Sequence, residues 1–103
     1  MIDIETIKKY YKDDLVFMTF HASERLKERG IKVKEIREAV NNGEIIEQYP
    51  NDYPYPSCLI LGITINKKYL HIVISDDGSK ANIITAYYPS EIKWNSDYKT
   101  RKE

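Results

Sequence analysis

The sequence predicts an α+β domain, in which N-terminal helices pack on a four-stranded antiparallel sheet that is followed by a short C-terminal tail. Apolar residues recur at helical spacing up to Gly43 and at strand spacing after it. The polar connections 66–68 and 76–79 have the length of antiparallel hairpin loops. Helices followed by a run of strands are typical of α+β folds. With 103 residues, the chain is expected to form one domain, residues 1–103.

The first helix is predicted from Asp3, which serves as its N-cap, to about Lys12. Ile4, Ile7 and Tyr11 follow helical spacing, so they form the stripe that packs inward.

The second helix follows a short segment, 15–18, that is expected to be extended or irregular. Thr19 is the candidate N-cap of this helix, and Gly30 is its natural left-handed stop. Both ends of this helix are therefore predicted, the first by an N-cap residue and the second by a glycine that ends the helix.

The third helix is predicted from Val33 to about Asn42, because Val33, Ile36 and Val40 form an apolar stripe. Lys32 stands at its N-cap position, where a small polar residue would be expected, so the start of this helix is the least well defined.

Four strands are predicted after Gly43, because β-branched and aromatic residues dominate the segments between turn residues. These strands are Glu44–Tyr49, Cys58–Ile65, Tyr69–Ser75 and Asn82–Tyr88.

A tyrosine- and proline-rich loop, Asn51–Ser57, separates the first two strands. Residues that precede proline favour extended backbone, so the loop should be stiff. Tyr49, Tyr53 and Tyr55 could offer stacking faces for nucleic-acid bases. The alternative, which we favour, is a rigid crossover whose tyrosines cover an edge of the sheet.

Charge is balanced overall and uneven along the chain. The 16 Lys and Arg residues equal the 16 Asp and Glu residues, so no global field attracts nucleic acid. Segment 25–37 is mainly basic, whereas 38–66 contains no Lys or Arg and is acidic. This pattern suits a dipolar surface or a charged partner.

Neither a metal nor a cofactor is expected. Cys58 is the single cysteine and lies in an apolar run, which favours a buried structural thiol. The two histidines have no further ligands at metal-binding spacing, so a zinc site is disfavoured. The N-terminal residues are acidic where a signal peptide would be basic, so we expect a cytoplasmic protein.

The first candidate for chemistry lies on the second helix. Helical spacing places His21, Arg25 and either Glu28 or Arg29 on one face. A neutral histidine near a helix start can act as a general base, and an arginine one turn on can bind a phosphate through two hydrogen bonds. The alternative is structural: His21 satisfies backbone groups at the helix entry and Arg25 pairs with Glu28.

The second candidate is His71, which alternation places on the opposite face of its strand from Leu70. Thr85 and Tyr87 lie on one face of the last strand, together with Ile83. If the strand register brings these faces together, His71, Thr85 and Tyr87 form a polar strip. Ordinary cross-strand pairing is the alternative.

These residues suggest RNA cleavage without a metal. A base would deprotonate the 2′-hydroxyl, an acid would protonate the leaving 5′ oxygen and an arginine would stabilise the transition state. Arg29, Lys99 and Arg101 are candidates for binding RNA phosphates, although for the last two we favour a solvated, frayed terminus. The sequence does not show which of His21 and His71 would be the acid and which would be the base.

The chain resembles a functionally uncharacterised family of small prokaryotic domains. The resemblance rests on His21-Ala-x-x-Arg-x-x-Glu-Arg-Gly-Ile31, on the segment 53–59, on Leu70–Val73, and on Ile84–Tyr87. This family in turn resembles RelE- and BrnT-like toxins, which are small ribonucleases with helices packed on an antiparallel sheet. The resemblance implies an antitoxin partner of the zinc-finger or helix-turn-helix type.

The residues and the resemblance together lead to one expectation and one alternative. We expect a metal-independent endoribonuclease toxin of a type II toxin–antitoxin system, acting on single-stranded or ribosome-bound mRNA. Its catalytic residues would be His21, Arg25, His71, Thr85 and Tyr87. The alternative is a non-catalytic protein-binding module of the same fold. The sequence indicates no oligomeric state.

Overall fold

Three helices cover one face of a five-stranded sheet in the computed structural model, which describes residues 1–103. The α+β class is therefore confirmed. The helices are α1 (Ile4–Lys12), α2 (Phe20–Glu28) and α3 (Val33–Asn41). The strands are β1 (Val16–Met18), β2 (Glu44–Tyr49), β3 (Ser57–Ile63), β4 (Tyr69–Asp76) and β5 (Ala81–Tyr87).

The predicted ends of α1 and α2 are confirmed by their backbone hydrogen bonds. The Asp3 carboxylate accepts from the backbone N–H of Glu5, and the Thr19 hydroxyl accepts from that of Ala22, both at 3.1 Å. Gly30 has a φ of +69°, the left-handed conformation that ends a helix at low cost.

The start of α3 is stabilised by a contact that compensates for its unusual cap. The Glu35 carboxylate accepts from the backbone N–H of Lys32 at 2.9 Å. Val33 is 57% exposed, so the prediction that it packs inward is wrong. Ala39 is fully buried instead, against Gly62, where an added Cβ would lie 1.9 Å from the Ala39 carbonyl oxygen. The close approach of α3 to β3 therefore requires glycine at this position.

The sheet has the order β1-β5-β4-β3-β2. The strands β2 to β5 form the predicted antiparallel meander, and β1 adds a fifth strand that is parallel to β5. The prediction of four strands is therefore wrong in this detail. β1 has three residues, too few to show a period, and its partner lies more than 60 residues further along the chain.

A bulge in the β4–β5 pairing changes which β5 side chains face the helices. The register shifts between Val73 and Ile74, so Thr85 lies opposite Val73 while Ile83 lies opposite Ile74. Ile83 is buried in the helix-covered core. The prediction that Ile83 shares a face with Thr85 and Tyr87 is therefore wrong.

The hydrophobic core lies between the helices and the sheet face that they cover, here called the inner face. It contains Ile7 of α1, Leu26 of α2 and Ile36 of α3. Ile60 and Ile72 contribute from the sheet, and all five are buried.

No helix is both long enough and apolar enough to cross a membrane.

The C-terminal tail, residues 89–103, folds back on the opposite side of the sheet, here called the outer face. Trp94 and Arg101 form an isolated antiparallel bridge, and the backbone N–H of Lys102 donates to the carbonyl of Lys93 at 2.9 Å. Trp94 is only 3% exposed. The expectation of a frayed terminus is therefore wrong for this part of the tail.

Candidate active site on the outer face of the sheet

His71 is the centre of the outer face. The alternation of β4 directs Leu70 and Ile72 into the core and His71 to the other side, as predicted. The register places Tyr87 directly opposite His71 and Thr85 two residues earlier on β5. The polar strip of His71, Thr85 and Tyr87 therefore exists, although the tail leaves no surface of His71 exposed.

Both ring nitrogens of His71 have a partner. Nε2 lies 2.8 Å from the backbone carbonyl oxygen of Tyr98, and Nδ1 lies 3.3 Å from the Tyr87 hydroxyl. A carbonyl only accepts, so Nε2 carries the proton, and in the neutral ring Nδ1 accepts from Tyr87. Burial lowers the pKa of His71, against a smaller opposing effect of the Tyr98 carbonyl. The ring is thus held neutral in a defined tautomer.

Two aromatic rings enclose the imidazole. Trp94 of the tail meets His71 edge-on, with the ring centroids 4.6 Å apart, and Tyr87 does so at 5.3 Å. The ring of Tyr98 packs against that of Tyr69, with centroids 5.1 Å apart. The tail therefore fixes the imidazole and separates it from solvent.

Arg29 reaches the same region from the end of α2. One of its terminal nitrogens, Nη1, donates to the Thr85 hydroxyl and to the Ala86 carbonyl, both at 2.8 Å. This carbonyl is accessible because β1 pairs with β5 only as far as Ile83. The guanidinium therefore caps a free edge of the sheet and connects the end of α2 to Thr85 and Ala86 of β5.

Tyr87 is half-buried, and its hydroxyl is the candidate reactive group of this arrangement. Burial raises its pKa, while the positive charges of Arg101 and Arg29 act in the opposite direction. At neutral pH the phenol keeps its proton, which it directs towards Nδ1 of His71. Its oxygen lone pairs remain free to accept a proton from another group.

His21 and Arg25 lie along α2 on the stripe that ends at Arg29. His21 and Arg25 are both exposed, and no hydrogen bond or ion pair involves the side chain of either residue. At 1.5 Å per residue, the backbone of His21 lies about 12 Å along the helix from that of Arg29. The structure therefore does not bring His21 next to His71, and Arg25 lies between the two regions.

Glu47 is a charged member of the outer face that sequence reasoning missed. Its carboxylate accepts from Nε and Nη2 of Arg101, at 2.9 and 3.1 Å, and from the Tyr49 hydroxyl. The bonds from Arg101 are the main cause that lowers the pKa of Glu47. The Arg101 guanidinium also lies 4.6 Å from the centroid of the Trp94 ring. The sequence shows that the strand is acidic and the tail basic, but it does not show that Glu47 and Arg101 pair with each other.

Lys99 forms a second ion pair between the tail and β2, with its Nζ 2.7 Å from the Glu44 carboxylate. Lys99 and Arg101, both predicted to bind RNA, thus neutralise acidic residues of the chain itself in this structure. Their contact with RNA stays a prediction.

An open cavity of about 400 Å³ lies next to the tyrosine- and proline-rich loop, and none of His71, Thr85, Tyr87 and Arg29 lines it. Tyr53 and Tyr55 line it, together with Ile84, the neighbour of Thr85. Tyr53 is 95% exposed, so its ring does not cover an edge of the sheet as we favoured. Its aromatic face is available to a ligand.

No three His, Cys, Asp or Glu side chains lie close enough together to hold a metal ion. Cys58 is fully buried in β3, and burial raises the pKa of its thiol to about 12. The thiol therefore stays protonated, as a structural residue would.

Comparison with known proteins supports the resemblance seen in the sequence as far as an uncharacterised family. No curated protein and no solved structure matches the chain. A family model matches residues 18–88, which hold α2, α3, β2 to β5 and the polar strip, but neither α1 nor the tail. Because the match spans well over half of the sequence, the chain belongs to the family described as a domain of unknown function, DUF4258.

Proposed function

We propose that this chain is a metal-independent endoribonuclease, the toxin of a toxin–antitoxin pair, with Tyr87, Arg29 and His71 at its reaction site. The observation that carries the proposal is the Tyr87 hydroxyl, which is hydrogen-bonded to a neutral, buried imidazole on the sheet face to which Arg29 is bound. This is a base relay beside a cation, the combination that phosphodiester transesterification requires.

The relay would work through two proton transfers. The Tyr87 oxygen takes the proton of a ribose 2′-hydroxyl and passes its own proton to Nδ1 of His71. The 2′ oxygen then attacks phosphorus, the bond from phosphorus to the 5′ oxygen breaks, and the leaving oxygen takes a proton from solvent. His71 afterwards returns its proton to solvent through Tyr87, which restores the neutral ring. The products are a 2′,3′-cyclic phosphate and a 5′-hydroxyl. His71 acts through Tyr87 and is a positioning residue.

Arg29 would stabilise the negative charge that builds up on phosphorus. Nη1 is occupied by Thr85 and Ala86, which orients the guanidinium and leaves its other N–H groups for phosphate oxygens. Thr85 thus orients Arg29. Arg25, one turn back on α2, is free to bind a neighbouring phosphate, and His21 lies one turn further.

The substrate would be single-stranded, because two tyrosines line a cavity that also contacts β5, the strand that carries Tyr87. Tyr53 and Tyr55 line the cavity next to Ile84, where unpaired bases of mRNA could stack. The partner would be an antitoxin of the zinc-finger or helix-turn-helix type, as the resemblance implies, and the pair would act in the cytoplasm.

A cleavage assay on labelled single-stranded RNA, run in excess chelator, tests this proposal. We expect cleavage that the chelator leaves unchanged, with 2′,3′-cyclic phosphate ends, and a loss of about 100-fold or more in Arg29→Gln. Lys27→Gln, an equal change of charge two residues away on α2, should retain activity. Cleavage that needs a metal, or 3′-hydroxyl ends, would contradict the proposal.

One observation favours a second candidate, a non-catalytic protein-binding module. Both nitrogens of His71 are occupied and the tail covers it, as in a purely structural cluster. This alternative predicts no cleavage of any RNA, and loss of folding rather than of activity when the cluster is altered.

A further inference from the structure

The helix layer carries a second site, on the other side of the molecule from His71. A groove with a volume of about 560 Å³ runs between α1 and α3. Four cationic side chains line it: Lys8 and Lys12 from α1, and Lys34 and Arg37 from α3. In a chain with no net charge, this concentration of positive charge is a local feature.

These cations are mostly unpaired. Lys12, Lys34 and Arg37 form no salt bridge, and Lys8 lies 3.8 Å from Glu5. Glu38 is the one acidic residue that lines the groove, and its carboxylate accepts from the backbone N–H of Ile65 at 3.0 Å. The positive charge of the groove is therefore not neutralised by the chain itself.

Tyr11 provides a second, independent observation. Tyr11 lines the groove, its ring packs against the core, and its hydroxyl is buried without a hydrogen-bond partner. Burial raises the pKa of this hydroxyl to about 12, so it remains a donor. A buried donor without an acceptor costs free energy, which a ligand oxygen would recover. The Arg37 guanidinium lies 5.9 Å from the centre of the Tyr11 ring.

We propose that the groove between α1 and α3 binds a phosphate-bearing ligand, with Lys12, Lys34 and Arg37 around its oxygens and the Tyr11 hydroxyl donating to one of them. The volume fits an anion the size of a nucleotide. The phosphate belongs either to a free small molecule or to an RNA strand. α1 lies outside the residues that the family model matches, so only the α3 side of the groove falls within them.

Calorimetric titration of the full chain with inorganic pyrophosphate, a nucleoside monophosphate and a single-stranded RNA oligomer tests the proposal. We expect binding of at least one probe. Tyr11→Phe, which removes only the hydroxyl, should weaken it by about tenfold, and Arg37→Gln by at least as much. Lys27→Gln, on α2, is the control for charge and should bind as the wild type does.

The probes separate the two sources of phosphate. Binding of pyrophosphate or the monophosphate identifies a free ligand, and binding of RNA alone identifies a strand. Either result supports the proposal when Tyr11→Phe weakens it. The proposal is overturned if no probe binds, if Tyr11→Phe and Arg37→Gln bind as the wild type does, or if Lys27→Gln weakens binding equally.

Discussion

The two faces of the sheet are built by different means. The inner face is closed by apolar side chains of three helices, with Ile72 at its centre. The outer face is closed by a 15-residue tail whose contacts with the sheet include a hydrogen bond to His71 and an ion pair to Glu47. A closely packed apolar layer leaves no room for a ligand, whereas polar contacts can be replaced by contacts with a substrate. We therefore expect the inner face to provide most of the stability, and the outer face is where we propose the reaction site.

Removing packing from the inner face should have the largest effect on stability. Ile72 is fully buried, so Ile72→Ala is expected to lower the free energy of unfolding by about 4 kcal/mol. Ile84→Ala is the matched control, because Ile84 is 47% exposed on β5, and it should cost less than about 1 kcal/mol. Urea denaturation measures both, and equal losses would show that the inner face is not the stabilising layer.

Removing the largest side chain of the tail should come next. Trp94→Ala is expected to cost about 3 kcal/mol, because the tryptophan is buried against His71 and Arg101. Ile92, which lies two residues away and is 85% exposed, provides the control: Ile92→Ala should change stability by less than about 0.5 kcal/mol. If the tail is not packed on the sheet, Trp94→Ala and Ile92→Ala should have the same stability in urea denaturation.

The ion pairs of the tail should contribute less than its tryptophan. Arg101→Gln is expected to cost about 1 kcal/mol or less, because the Arg101 side chain is 56% exposed although it contacts Glu47 with two nitrogens. The loss should shrink in 1 M salt, which screens exposed charges. Lys99→Gln should cost less than Arg101→Gln, since both partners of the Lys99–Glu44 pair are about half exposed. The reverse order would contradict the role of Arg101 as the anchor of the tail.

The smallest expected effect is a pH dependence that originates at His71. Burial holds its pKa below the ordinary value near 6.5, so below that pH the unfolded chain binds a proton that the folded chain does not. Stability should therefore fall as the pH drops from about 7.5 to about 5.5. Glu47 remains ionised in this window, because its pKa is lowered. His71→Asn should flatten the profile measured by denaturation, and an unchanged slope would exclude His71 as its source.

Much of the inner face could be predicted, because its determinants are local. Asp3, Thr19 and Gly30 act within a few residues, and apolar periodicity marks the helices and the strands of the meander. β1 escaped prediction because it is defined by a distant parallel partner. Ile83 was misplaced because a bulge shifts the register by one residue, which no residue pattern marks.

The residues of the outer face could be predicted individually, but the contacts that the tail makes with them could not. His71, Thr85, Tyr87 and Arg29 were all named from spacing and chemistry, and the structure brings them together. The partner of Nε2 was not predictable, since it is a backbone carbonyl whose position depends on the fold of the tail. The pairing of Glu47 with Arg101 joins residues 54 positions apart.

The rate of RNA cleavage by Tyr87→Phe tests most directly the claim that the outer face is a reaction site. This variant keeps the ring that packs on His71 and removes only the hydroxyl. Tyr88→Phe is the control, because Tyr88 follows β5 and its hydroxyl forms no hydrogen bond. We predict that Tyr87→Phe lowers the single-turnover rate by about 100-fold or more at nearly wild-type stability, while Tyr88→Phe cleaves normally. Equal cleavage by the two variants would contradict the account.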